Sequence, residues 1–181
     1  IRDRAITERD SLPVMTTLGV TTLISDSGVT RYRVNTEEWM MYDRKKPSYW
    51  AFEKGVYMEQ FDSIFNVEAS IKADTAYYYD KERLWKLIGN VDIQNRKGER
   101  FNTELLYWNE ATQKVYSDKF IRIQQPDRII TGHGFDSNQQ MTIYTIRNIE
   151  GIFYVDEEAS SGPPQPETKA LPDSVNKDSA K

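Results

Sequence analysis

Cysteine is absent from the 181-residue chain, which excludes disulfides, thiolate metal sites and cysteine nucleophiles. Histidine occurs once, as His133. With no second imidazole, no thiolate and no acid at a ligand spacing, neither a metal centre nor histidine-based catalysis has a foundation. Positive charge is not in excess: 24 Lys and Arg stand against 28 Asp and Glu, for a net charge of −4. No face concentrates basic side chains and no RNA-binding aromatic signature is present, so nucleic acid is excluded as a partner. No run approaches the roughly 18 apolar residues that span a bilayer as a helix. A phosphate-cradling glycine loop, a nucleophile elbow and an EF-hand loop are all missing. The acid pairs Glu37–Glu38 and Asp156–Glu158 would need to be buried and convergent to act as acid and base. Neighbouring strand residues point to opposite faces, so these acids read as solvated. The chain reads as no enzyme, with no metal and no cofactor. The glycines flanking His133 predict a bend or bulge that leaves the imidazole at the surface.

What is present is a β pattern. Val20–Ile24 is β-branched and runs into the turn cluster 25–28, after which 29–34 alternates with Tyr32 and Val34 on one face. Phe65 to Ala73 alternates over nine residues, with Phe65, Val67, Ala69, Ile71 and Ala73 on one side. A one-residue slip would expose all five, so this strand predicts a firm register. Further strands are expected at 38–43, 48–52, 55–61, 75–79, 84–88, 90–94, 101–108, 114–117, 120–124, 128–131, 141–146 and 152–155, separated by polar turns. After Gly19 no window carries a helical stripe.

The pattern repeats. AYYYDKERLWKLIGNVDIQN at 76–95 recurs as LYWNEATQKVYSDKFIRIQQ at 106–125, aligning Tyr77 with Tyr107, Val91 with Ile121, Ile93 with Ile123 and Gln94 with Gln124. A looser third copy lays 56–58 on 91–93 and Met41–Tyr42 on Ala76–Tyr77. A strand-turn unit cannot bury its apolar face alone, so stacked copies predict an extended β architecture.

The ends differ in composition. Residues 1–18 hold no sustained period and read as a leader that becomes ordered near Val14; a chain beginning with Ile1 predicts an N-terminal segment removed upstream. Residues 156–181 carry four prolines, six acids and three lysines with almost no large apolar side chain, the composition of a disordered tail. The domain is expected over 19–155.

The aromatic load, eleven tyrosines and four tryptophans, falls mostly in these strands. It serves either cross-strand packing or the lining of a groove for acyl chains or sugar.

Element order and motifs together resemble the periplasmic LptC-type proteins of lipopolysaccharide transport. FNVEASIKADTAYYY at 65–79 matches that family's apolar-x-A…A-x-x-A-x-Y strand, and Gly89-Asn-Val91-Asp-Ile93 its G-x-V-x-apolar strand. Phe101–Trp108 resembles L-x-T-x-x-L-x-W/Y, and 117–123 with Ile130-Thr-Gly132-His-Gly134-Phe135 resembles the V-x-I…G-x-G-apolar ending. LptA-type proteins share the repeat; a single unit behind a long leader favours LptC. The resemblance implies an all-β, twisted open β-jellyroll of repeated antiparallel strand-turn units, whose apolar interior takes lipopolysaccharide acyl chains. It implies edge-to-edge joining to an LptA-like periplasmic protein and to an LptBFG-type inner-membrane ABC transporter. It also implies a periplasmic location, anchored through an N-terminal transmembrane segment. The interior lining expected from the repeat strands is Val56, Met58, Val67, Ala69, Ile71, Tyr77, Val91, Ile93, Leu105, Tyr107, Ile121, Ile123 and Ile143. Two other readings compete. One is an LptA-like or purely structural module with a dry core. The other is a carbohydrate-active β-repeat enzyme, which would need two convergent buried carboxylates.

Overall fold

The structure, a computed structural model, describes residues 10–155. Eleven strands follow in chain order: β1 (Met15–Asp26), β2 (Val29–Tyr42), β3 (Tyr49–Phe52), β4 (Val56–Phe61), β5 (Val67–Ala73), β6 (Thr75–Tyr79), β7 (Leu84–Asn95), β8 (Arg100–Asn109), β9 (Lys114–Gln124), β10 (Arg128–Asn138) and β11 (Tyr144–Tyr154). All pair antiparallel in one sheet with β1 and β11 at its edges. This is the all-β architecture expected for an LptC-like jellyroll. β1 starts at Met15, so the last residues read as leader belong to the sheet; the rest of the leader and the 156–181 tail lie outside the described residues.

Several expected strands fuse. Residues 29–34 and 38–42 form one strand, as do 84–88 with 90–94 and 114–117 with 120–124. Each fusion point is a break in the ladder where the strand bends. β7 shifts register between Ile88 and Val91, β8 between Thr103 and Tyr107, and β10 between His133 and Phe135. Gly89 and Gly134 supply φ of +79° at two of these bends, a backbone state that costs glycine nothing extra. β2 changes partner at the same level, from β4 over 32–36 to β3 over 40–42, and β7 changes from β6 to β5.

Aligned side by side, the breaks form a crease that folds the sheet into two walls. The first wall holds the β4, β5 and 91–95 side of each strand; the second holds β3, β6 and the 84–88 side. The turns 96–99 and 125–127 end the first wall, and 80–83, 110–113 and 139–143 end the second. These two sets of turns face one another across a seam opposite the crease.

The crease also decides which face is inward. Gly89 and Asn90 of β7 stand opposite Glu104 alone, so the alternation that β7 keeps across the crease is inverted in its neighbours. In β5, Ala69 and Ala73 are buried, but after Asp74 the buried residue is Ala76. In β8, Phe101 and Thr103 are buried, but past Glu104 the buried residues are Leu106 and Trp108.

Candidate functional site: the interior, its seam and its edges

Cross-strand register lines the first wall with one apolar row. Val34 lies opposite Met58, which lies opposite Ile71, then Ile93, Phe101, Ile123 and Ile130. The second wall carries an aromatic row: Met41, Trp50, Tyr78, Trp85, Trp108 and Val115. The rows meet across the interior, with Tyr32 edge-on to Trp108 at 5.0 Å and Phe101 tilted on Phe135 at 5.7 Å. Most of these side chains are buried in one continuous cluster.

The repeat is a structural translation by two strands. Ile93 and Ile123 sit in one row with Phe101 between them, and Val91 and Ile121 in the next with Thr103 between them. The looser third copy holds in the first wall, where Met58 reaches Ile93 through Ile71. It fails in the second: Met41 aligns through Trp50 with Tyr78, not with Ala76.

Eight of the thirteen expected lining residues face inward: Val56, Met58, Ala69, Val91, Ile93, Ile121 and Ile123 are buried, and Ile71 packs against them. Five do not. Tyr77 and Tyr107 are correctly aligned with each other through Lys86, but on the outer face. There Tyr77 donates to Glu53 Oε1 at 3.0 Å and Tyr107 stacks on Tyr116 at 5.4 Å. The crease inverts the face at Asp74 for Tyr77, and at Glu104, opposite the bulged Gly89–Asn90, for Leu105 and Tyr107. Val67 is 43% exposed because the β4–β5 ladder shifts between Gln60 and Phe61. Phe65 falls with it, in a loop, stacked on Phe61. Ile143 lies in the turn before β11 and is 76% exposed; the strand expected from 141 begins at Tyr144. The inward residues that alternation alone missed are Ala76, Tyr78, Leu106 and Trp108, all beyond a crease residue, and Met141. Asp74 and Glu104, polar residues interrupting apolar alternation, were the available signal.

Two carboxylates stand at the seam, Glu99 buried and Glu110 partly buried. Glu110 accepts from Trp85 Nε1 at 2.9 Å and Tyr78 OH at 3.2 Å, with Arg83 Nε at 3.6 Å. Burial, then the Glu110 charge and hydrogen bond, push the Tyr78 phenol up to about 12. Glu99 accepts from Tyr144 OH at 2.5 Å, Gln125 Nε2 at 3.0 Å and Asn95 Nδ2 at 3.0 Å. Burial alone would raise Glu99, but these donors hold it below the ordinary carboxyl value. Both carboxylates thus accept from fixed donors.

A polar-walled recess of about 610 Å³ opens at the seam between Ile24, Arg31 and Phe61 on one side and Arg83, Glu110 and Gln139 on the other. A cavity of about 800 Å³ lies elsewhere, at the crease, lined by Lys72, Asp92, Asn102 and Arg122 together with Val91 and Thr103 of the inward face. His133 lies beside it, exposed and bonded to Glu150, at a bulge as expected.

The edges are the third element. β1 exposes Met15, Leu18 and Leu23, and the β11 end exposes Ile149, Ile152, Phe153, Tyr154 and Val155. Among the described residues each edge strand pairs on one side only, so unpaired backbone groups and apolar side chains coincide there. Among the described residues no helix is long and apolar enough to cross a membrane.

A family model described as Lipopolysaccharide-assembly, LptC-related, matches residues 13–152. No curated protein sequence matches the chain.

Proposed function

The chain belongs to the LptC-related lipopolysaccharide-assembly family, and we propose that it is a non-enzymatic bridge component. In this reading it receives lipopolysaccharide from an inner-membrane LptBFG-type ABC transporter and passes it to an LptA-like protein across the periplasm. The observation that carries the proposal is the apolar row of the first wall, which runs from Val34 in β2 to Ile130 in β10 and on to Ile152 in the β11 edge strand, with Thr22 of the β1 edge opposite Val34. A partner that adds its own strand to β1 or β11 would satisfy the free backbone groups and extend the row into its own interior.

The interior supports acyl chains as cargo. Each buried CH₂ contributes roughly 0.8 kcal/mol, so one chain of about twelve carbons would gain about 10 kcal/mol if wholly sheltered. Several fully buried chains would exceed the non-covalent ceiling of about 18–21 kcal/mol, and a conduit must release its load. Partial burial fits better, and so does the packed state of the cluster: an incoming chain replaces side-chain contacts rather than filling a void. The indole Nε1 atoms of Trp39 and Trp108 are buried without a hydrogen-bond partner. A buried unpaired donor costs about 1–3 kcal/mol, and an acyl ester or hydroxyl passing between the walls would relieve that cost.

A photo-crosslinker placed singly at Ile93, Ile123 and Tyr107 tests the reading during transport. Capture of lipopolysaccharide is expected at the two isoleucines and not at Tyr107; capture at none of them would leave the second reading. That reading, a purely structural module with a dry core, draws support from the completeness of the packing around Trp85, Leu87 and Phe101. It predicts edge-dependent pull-down of an LptA-like protein with no lipid captured.

A further inference from the structure

The seam is not uniform along its length. Near the β1 end the two walls leave the recess at Ile24 and Glu110. Near the β11 end a short segment, 139–143, crosses from the second wall toward the first and closes the opening. This strap is internally braced: Asn138 Oδ1 accepts from the backbone N–H of Thr142 at 2.9 Å and of Ile143 at 3.1 Å, and Met141 N donates to Asn138 O at 3.1 Å. At its apex Met141 takes φ of +58°, unfavourable for a residue with a side chain. That backbone state accompanies a buried side chain: Met141 is 1% exposed and belongs to the cluster with Phe101, Ile123 and Phe135.

Side-chain hydrogen bonds hold the strap to the opposite wall. Asn95 Nδ2 donates to Met141 O at 2.8 Å, Tyr144 OH donates to Glu99 Oε2 at 2.5 Å, and Gln125 Nε2 reaches both Glu99 and Tyr144. None of these bonds belongs to the sheet. They can break while the β10–β11 ladder stays paired, so the strap can swing without unfolding an edge.

We propose that the 139–143 strap is a gate at the β11 end of the groove, and that the space filled by the Met141 side chain is an acyl-chain subsite. An unbranched, flexible thioether is the side chain closest in shape to a length of alkyl chain, and it stands in for one while the gate is shut. When cargo arrives, the chain end takes the Met141 space and the Asn95–Glu99–Gln125 side of the seam lets the strap go. The proposal rests on the lipid-groove reading above and adds where, and by displacing what, the chain passes.

The absence of cysteine makes the test clean. Glu99→Cys and Tyr144→Cys, made together in the full chain, are joined by a reducible bis-thiosulfonate linker, and lipopolysaccharide capture is read from a photo-crosslinker at Ile123. Bridging is expected to cut capture by about tenfold or more by locking the closed population, and reduction of the same sample to restore it. Met141→Ala, which vacates the subsite, is expected to raise capture; Met141→Trp, which overfills it, to lower it. Equal capture from bridged and reduced protein overturns the gate, as does indifference to both Met141 substitutions. No capture in the parent carrying only the crosslinker overturns the lipid reading, and the gate with it. Circular dichroism of bridged and reduced samples separates gating from misfolding.

Discussion

The two walls descend from one repeating strand-turn unit, yet their inner faces differ. The first is lined mainly by aliphatic side chains, Met58, Ile71, Ile93 and Ile123, with Phe101 among them; the second by Trp50, Tyr78, Trp85 and Trp108. The aromatic wall is tied down at its polar tips, with Trp85 and Tyr78 both donating to Glu110. The aliphatic row has no such anchors, and its side chains lose little by exchanging one apolar neighbour for another. One wall therefore acts as a fixed backing and the other as the surface against which an alkyl chain can lie.

The contrast can be broken by substitution, most severely at the crease-inverted face of β8. Leu106→Asp places an unpaired charge in the aromatic half of the core, and a loss above about 4 kcal/mol is expected. Leu105→Asp, one residue away on the outer face, should cost about 1 kcal/mol or less. Urea midpoints of the pair decide the matter, since similar losses would mean that the crease at Glu104 does not invert the strand. Trp85→Ala comes next, at about 3–5 kcal/mol, with Glu110 left short of a donor. On the other wall Ile93→Val should cost only about 0.5–1.5 kcal/mol. If the two losses prove equal, the walls are not mechanically distinct.

Where the walls meet, Tyr144→Phe removes a bond to an ionised acceptor; allowing for partial exposure, about 1 kcal/mol is expected in denaturant unfolding at neutral pH. The smallest effect is its pH dependence. The folded pKa of Glu99 is lowered, so its contribution is present above the ordinary value of 4.5 and is lost as pH falls through the lowered one. Tyr144 is raised from 10.0 to about 12, first by burial and then by its bond to Glu99. Its contribution is whole below pH 10 and is lost as pH rises toward about 12. Lys97 and Arg128 act on the same pair, Lys97 lowering Glu99 and Arg128 lowering Tyr144. Stability measured against pH should show a weaker acid loss and a weaker alkaline loss in Tyr144→Phe than in the parent; unchanged limbs would detach Glu99 from the seam.

Much of this fold was legible from residue order. Alternation located most strands, the turn clusters separated them, and the pairing of 76–95 with 106–125 correctly placed equivalent rows two strands apart. It failed on which face those rows presented. Alternation carried unbroken from Ala73 and Phe101 places Tyr77 and Tyr107 inward, whereas the crease at Asp74 and Glu104 resets it. Alternation starts a strand at Met141, but its burial depends on a wall that is distant in sequence.

Composition and periodicity by themselves determined an all-β chain of stacked units without thiol chemistry, because strand period and residue inventory are local properties. Only the tertiary structure decided the two unlike linings, the closed seam and the exposed edges. These depend on small bends aligning across neighbouring strands, and a one-residue bulge leaves almost no trace in composition while reversing every side chain beyond it.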